Sequence, residues 1–148
     1  MDKSYEINKY TIALIPISTN ETKVIEEDNV YIISKSTTEI VKDSCEYFGS
    51  SFEGRKEGTK NLVGITYKAP IIIEESRNII FFPTSSPRFE NCTWISLNHV
   101  NDYINNQGNG LIKFKNGISI ELTTSFGSLE NQVLRATRLE SVLRRRKI

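Results

Sequence analysis

Residues Thr38–Thr59 read TEIVKDSCEYFGSSFEGRKEGT, and the point where the helix in this stretch ends shapes the rest of the chain. Ser36 or Thr37 can cap that helix, with Glu39 in its first turn. Ile40, Val41, Cys45 and Phe48 follow at helical spacing. Gly49 is the natural C-terminal stop. Beyond it, Gly54 and Gly58 suit positive φ or close approach to a ligand, so the spacing predicts a helix end running into a glycine-rich loop. That loop would carry hydroxyls from Ser50, Ser51 and Thr59 and cations from Arg55, Lys56 and Lys60. Such a set suits a phosphate-rich partner, and a solvated connector fits it equally well. The letters at 54–60, GRKEGTK, do not run in the order GxxxxGK[ST], so a nucleotide-cradling P-loop is not supported.

Working outward, the first third reads as strands. Tyr5–Ile7 and Tyr10–Ile15 suggest a hairpin ending at Pro16, and Lys23–Glu26 with Val30–Ser34 a second across Asp28-Asn29. Strands are expected again at Leu62–Tyr67, Ile71–Glu74 and Ile79–Phe82. A turn-rich loop from Pro83 to Thr93 carries Arg88 beside Pro87 and Phe89. Trp94–Val100 is another strand candidate, before the polar segment NDYINNQGNG. Leu111–Phe114 and Ile118–Leu122 flank Asn116-Gly117, the clearest hairpin signal, favouring a type I′ turn. Ser125 or Ser128 can cap a last helix from Leu129 towards Arg146, with Leu129, Val133, Ala136 and Leu143 at its period. The expectation is α+β: a mostly antiparallel, curled or barrel-like sheet with one middle helix and one C-terminal helix.

The 148 residues suit one domain spanning 1–148, large enough to bury a core, with 38% hydrophobic and 25% charged residues. No apolar run approaches the ~18 residues of a membrane span, and MDKSYEINKY lacks a secretory h-region. A cytoplasmic chain follows, with Cys45 and Cys92 as reduced, buried thiols. Net charge is only +1, yet unevenly spread. From Arg135 onward six basic residues face one acid, leaving +5, while 13 basic and 17 acidic residues before them leave −4. A basic tail is a nucleic-acid footprint or simply a cationic helix end.

Catalysis finds little support. His99 is the only histidine, and two distant cysteines cannot complete a zinc site. On one strand, Cys92 and His99 would point to opposite faces. No GxSxG, HExxH or EF-hand pattern occurs, so no enzyme, cofactor or metal is expected. Binding signals are better. Arg55, Lys56 and Lys60, then Arg88, then Arg135 and Arg138 can reach phosphates or a narrow A/T-rich minor groove. Against this, Arg88 could pair with Glu90, and Trp94 reads best as core.

In order, SCEYFGSSFEGRKEGT, YKAPIII, FFPTSSPRFENCTWISLNHV, FKNG and SFGSLENQVLRATRL resemble the ComK family of bacterial competence transcription factors, from about Tyr5 to Leu139. The resemblance implies a cytoplasmic activator of DNA-uptake genes that contacts the minor groove of paired A/T-rich boxes on double-stranded DNA. It also implies homodimers pairing into tetramers, with RNA polymerase as a partner. Familiar relatives continue past the final helix into a region implicated in adaptor-directed proteolysis. This chain stops at Ile148 after RRRKI, which reads as a short or C-terminally truncated member and puts a proteolytic adaptor in doubt. Two rivals predict different behaviour: a β-rich protein-interaction module indifferent to Arg55 and Arg88, and an RNA-binding barrel stacking bases on Tyr67 or Phe114.

Overall fold

The computed structural model describes residues 2–88 and 92–147. Phe89, Glu90 and Asn91 lie outside them, and so does a pairing of Arg88 with Glu90.

The apolar residues come in runs rather than in strict alternation, as in Ile71-Ile72-Ile73 and Ile79-Ile80-Phe81-Phe82, because the main sheet is covered on both faces. That sheet has six antiparallel strands: β1 (Thr11–Ser18), β2 (Glu21–Glu26), β3 (Val30–Ile33), β4 (Ile71–Glu74), β5 (Ile79–Pro83) and β6 (Trp94–Ser96). Their order is β3-β2-β1-β6-β5-β4, an open sheet and not a closed barrel. A 3-10 turn, Leu97–His99, leads into a second antiparallel sheet of β7 (Val100–Asn106), β8 (Asn109–Phe114) and β9 (Ser119–Ser125).

Helices α1 (Thr37–Tyr47) and α2 (Phe52–Val63) cover one face of the large sheet. Ile40, Val41, Cys45 and Phe52 meet Leu14, Val24, Ile71, Ile73, Phe81 and Trp94 there. The long α3 (Phe126–Arg146) and the small sheet cover the other, where Leu129, Val133, Ala136, Leu139 and Leu143 meet Ile72, Ile80, Phe82, Ile95, Ile112 and Phe114. Gly110 is where α3 comes closest to β8: a Cβ there would sit 2.6 Å from Leu129 Cδ2.

The mixed α+β, antiparallel character is as the sequence implies, and the differences are local. The segment after Gly49 is a helix, not a loop, so there are two middle helices. Ser36 caps α1 through a full capping box with Glu39, and Ser51 caps α2 by accepting from the Gly54 amide. Leu62 and Val63 are the last turn of α2, ended by Gly64, not the start of a strand. Tyr5–Ile7 forms no strand; the Ile7 amide donates to Ser44 Oγ at 3.0 Å, and the Tyr5 hydroxyl meets Glu26 and Thr11. Strand β1 continues through Pro16, with its register broken between Pro16 and Ser18. The 101–110 segment is mostly strand, turning at Gln107-Gly108. The Asn116-Gly117 hairpin forms, but only Gly117 has positive φ (94°), and the Gly117 amide donates to Phe114 O at 3.0 Å. A three-residue loop with an αL glycine therefore replaces the type I′ turn.

Helix α2 carries two interior glycines, each about 1 kcal/mol worse than alanine. At Gly58 an added Cβ meets nothing within 4 Å. Gly58→Ala should therefore stabilise the fold by about 0.5–1 kcal/mol, read as a melting rise of roughly 1–4 °C. At Gly54 the Cβ would meet Ser51 Oγ at 3.0 Å, so Gly54→Ala should give less or none of this gain. A fall in melting temperature for Gly58→Ala would show that the α2 interior is not tolerant there.

Candidate nucleic-acid interface

A cleft of about 320 Å³ is bounded by α1, the first turns of α2, the 66–69 segment before β4 and residues 86–88. Four cations line it, Lys42, Lys56, Lys68 and Arg88, against one carboxylate, Glu53. Lys42 and Lys56 sit over the ring of Phe52 at 5.7 and 5.5 Å from its centroid. Lys56 also lies 3.6 Å from Glu53 across an exposed i,i+3 pair, too weak and wet to neutralise it. Tyr67 stands at the lip, 61% exposed, with the Lys68 ammonium 5.7 Å from its ring centroid.

Local chemistry fixes both walls. Thr38 Oγ1 donates to Pro87 O at 3.1 Å and accepts from Trp94 Nε1 at 3.3 Å, while Thr37 Oγ1 donates to Cys92 O at 2.6 Å. The start of α1 thus pins the chain on either side of the Arg88 loop. Opposite, the fully buried Gln132 of α3 donates through Nε2 to Lys68 O at 2.9 Å and Pro83 O at 2.7 Å. Arg135 Nη1, 3.2 Å from Gln132 Oε1, donates to Tyr67 O at 2.8 Å. Lys68 keeps a positive φ of 49°, uncommon for a residue with a side chain, on this clamped turn.

Of the residues singled out from sequence, Lys56 and Arg88 meet in the cleft. Ser50 is half-buried between the helices, Ser51 is the exposed α2 cap, and Lys60 is exposed on α2. Arg55 points differently. Its Nε is buried without a hydrogen-bond partner among the described residues. Its charge reaches Cys45, where burial pushes the thiol up to about 11 and the guanidinium pulls partly back. Thr59 is not a surface residue at all: its buried hydroxyl donates to Pro70 O at 2.7 Å, tying α2 to the approach to β4. Arg135 is committed to the Tyr67 carbonyl, whereas Arg138 is exposed. Lys42 and Lys68 were not singled out from sequence. Only the pairing of α1 with the 86–88 segment, through Thr38 one turn before Lys42, reveals the first.

The basic tail lies elsewhere. Lys147 Nζ contacts Asn78 Oδ1 at 2.7 Å and Glu75 O, over the β4–β5 turn, and Arg144 pairs with Glu140 at 3.3 Å. Along α3 this is ~18 Å from Arg135. Trp94 is fully buried, as expected of core, and packs edge-on to Phe52 at 6.2 Å. Phe114 is only 2% exposed and cannot stack a base. Among the described residues no helix is long and apolar enough to cross a membrane.

A sequence model described as ComK protein matches residues 2–147. The competence transcription factor of Bacillus subtilis (strain 168) is 38% identical over 143 residues, covering 94% of this chain and 74% of that protein. No solved structure matches the chain. With the family model spanning residues 2–147 and the relative matched along 94% of the chain, the chain belongs to the ComK family.

Proposed function

We propose that this transcription regulator of competence binds double-stranded DNA through the cationic cleft, reading the minor groove of A/T-rich boxes and activating genes for DNA uptake. The observation that carries the reading is the gathering of Lys42, Lys56, Lys68 and Arg88 from four separate segments around a single acid. Unrelated parts of a nearly neutral chain have converged on one sign of charge, which a polyanion would neutralise with counterion release. Arg88 on its loop is the groove-entering side chain, because A/T tracts narrow the minor groove and deepen its negative potential. Lys42, Lys56 and Lys68 are phosphate contacts that set register. Lys60 and Arg138, exposed on α2 and α3, extend the track, with Ser51 and Ser50 beside it. Arg135 supports the lip instead of touching DNA, and Thr59 has no part in the contact. The chain acts as a homodimer or a pair of dimers, one protomer to each box.

Fluorescence anisotropy tests this directly, with an A-tract/T-tract duplex, a G·C-rich duplex of equal length and a single strand, each at two salt concentrations. Tight, salt-steep preference for the A/T duplex is expected, with competition by a minor-groove drug. Equal weak binding to all three would reduce the interaction to tail electrostatics and point to a protein partner instead.

A further inference from the structure

Two tyrosines stand out among the exposed large hydrophobics, Tyr47 at 65% and Tyr67 at 61% exposed. Their settings differ. Tyr47 lies edge-on to Phe48 at 5.1 Å, in a groove shared with Glu6, Glu74 and Arg77, where two carboxylates outnumber one cation. Tyr67 lies at the lip of the cationic cleft, between Thr66 and Lys68, and among the described residues none of the close ring pairs involves it. A ring left this exposed on a turn gains little burial free energy for the fold. Yet the turn beneath it is held at two successive carbonyls. Arg135 holds the Tyr67 carbonyl, Gln132 holds the next one, and Lys68 is fixed at positive φ.

We propose that Tyr67 is a wedge: on binding, its ring enters a base step of the A/T-rich duplex from the minor groove and partly unstacks it. This rests on the cleft being the DNA-binding surface. A rigid backbone lets the ring take the stacking free energy without an ordering cost at the moment of binding. The clamp from α3 resists the recoil of the base pairs. The neighbouring Lys68 ammonium, close to the ring, compensates a phosphate at the opened step. Pyrimidine–purine steps such as TA unstack most easily, so a wedge of this kind discriminates between A/T-rich sequences that present the same minor-groove acceptors. Tyr67 is thus a specificity-determining residue for step identity, which groove-lining cations cannot supply.

The experiment places 2-aminopurine in turn at each adenine of an A/T-rich duplex that contains TA steps and follows its fluorescence during titration, with anisotropy on the same samples. The expected result is a rise at one step per bound protomer. Tyr67→Ala should lose that rise and about tenfold in affinity, and Tyr67→Phe should keep both. Tyr47→Ala should behave as the unsubstituted protein. Tight binding with no rise at any position, or a rise that survives Tyr67→Ala, would overturn the wedge while leaving the cleft reading intact. No duplex binding at all would overturn both. Thermal unfolding of each variant separates a contact effect from a folding one, since Tyr67 contributes little to the core.

Discussion

Gln132→Leu should lower the unfolding free energy by about 3 kcal/mol, although leucine is more apolar and nearly the same size. The reason lies in what the amide leaves behind. Its Nε2 serves the carbonyls of Lys68 and Pro83 at once, in a fully buried position where water cannot replace it. Losing it orphans two acceptors, each worth about 1–3 kcal/mol of desolvation. It also frees Arg135 from one of its two partners. Urea unfolding is the measurement, with a lower midpoint and an unchanged slope expected. A loss under about 1 kcal/mol would mean that solvent reaches the site and the clamp is not a buried one. Duplex affinity should fall as well, under conditions where the variant is still folded, because the Lys68 segment of the cleft loses its tie to the end of β5. Arg135→Ala, which removes only the contact to the Tyr67 carbonyl, should be the milder change in both assays.

The second large effect is on binding and spares the fold. Reversing two cleft charges together, Lys56→Glu with Arg88→Glu, should remove measurable binding to an A/T-rich duplex. Each contact is worth about 1–3 kcal/mol, so the pair accounts for roughly 30-fold to 10⁴-fold before any repulsion. Arg88 is exposed, and half-buried Lys56 touches the core only through its ammonium over the Phe52 ring, so stability should fall by no more than about 1 kcal/mol. The milder Lys56→Ala should lower the salt slope by about one and weaken binding to every sequence alike. Arg88→Ala should cost more on A/T-rich than on G·C-rich DNA. The informative comparison is Arg145→Glu with Arg146→Glu in the tail, which carries the same charge change far along α3. If the tail pair abolished binding and the cleft pair did not, the interface would lie over the β4–β5 turn.

How legible this was in the sequence differs by element, for physical reasons. Helix α1 announces itself because its cap, its first-turn acid and its apolar period agree. The same holds for α3 and for the β8–β9 hairpin. Helix α2 does not, because it buries only Phe52 and Thr59 and carries two glycines, so it has neither stripe nor propensity to betray it. What makes it helical is tertiary: a serine cap at one end and a threonine hydroxyl fastened to Pro70 further along. In the cleft, Lys56 and Arg88 lay beside glycines and prolines and drew notice. Nothing in the sequence around Lys42, within a helix, or Lys68, just past Tyr67, marks either as a binding residue. Their meaning depends on which segments the fold brings together, and no spacing rule contains that. Thr59 erred in the other direction: a hydroxyl among charged neighbours reads as a surface donor until its acceptor is seen.

The middle of the large sheet also sets an order of events. Strand β6 is three residues long, yet it alone joins β1 to β5, through Ala13 with Ile95 on one side and Phe82 with Ile95 on the other. A nascent chain can form the β1–β3 meander and the β4–β5 hairpin early, but these stay two separate sheets until residues 94–96 arrive. The amide that ties the Lys68 segment to the end of β5 comes later still, at position 132, 90 residues after Lys42. At bacterial elongation rates that gap lasts roughly 5–20 s. Until position 132 is made, the segments carrying the proposed DNA contacts lack that tie, so on this reading the cleft is completed well after its last cation, Arg88, has been synthesised.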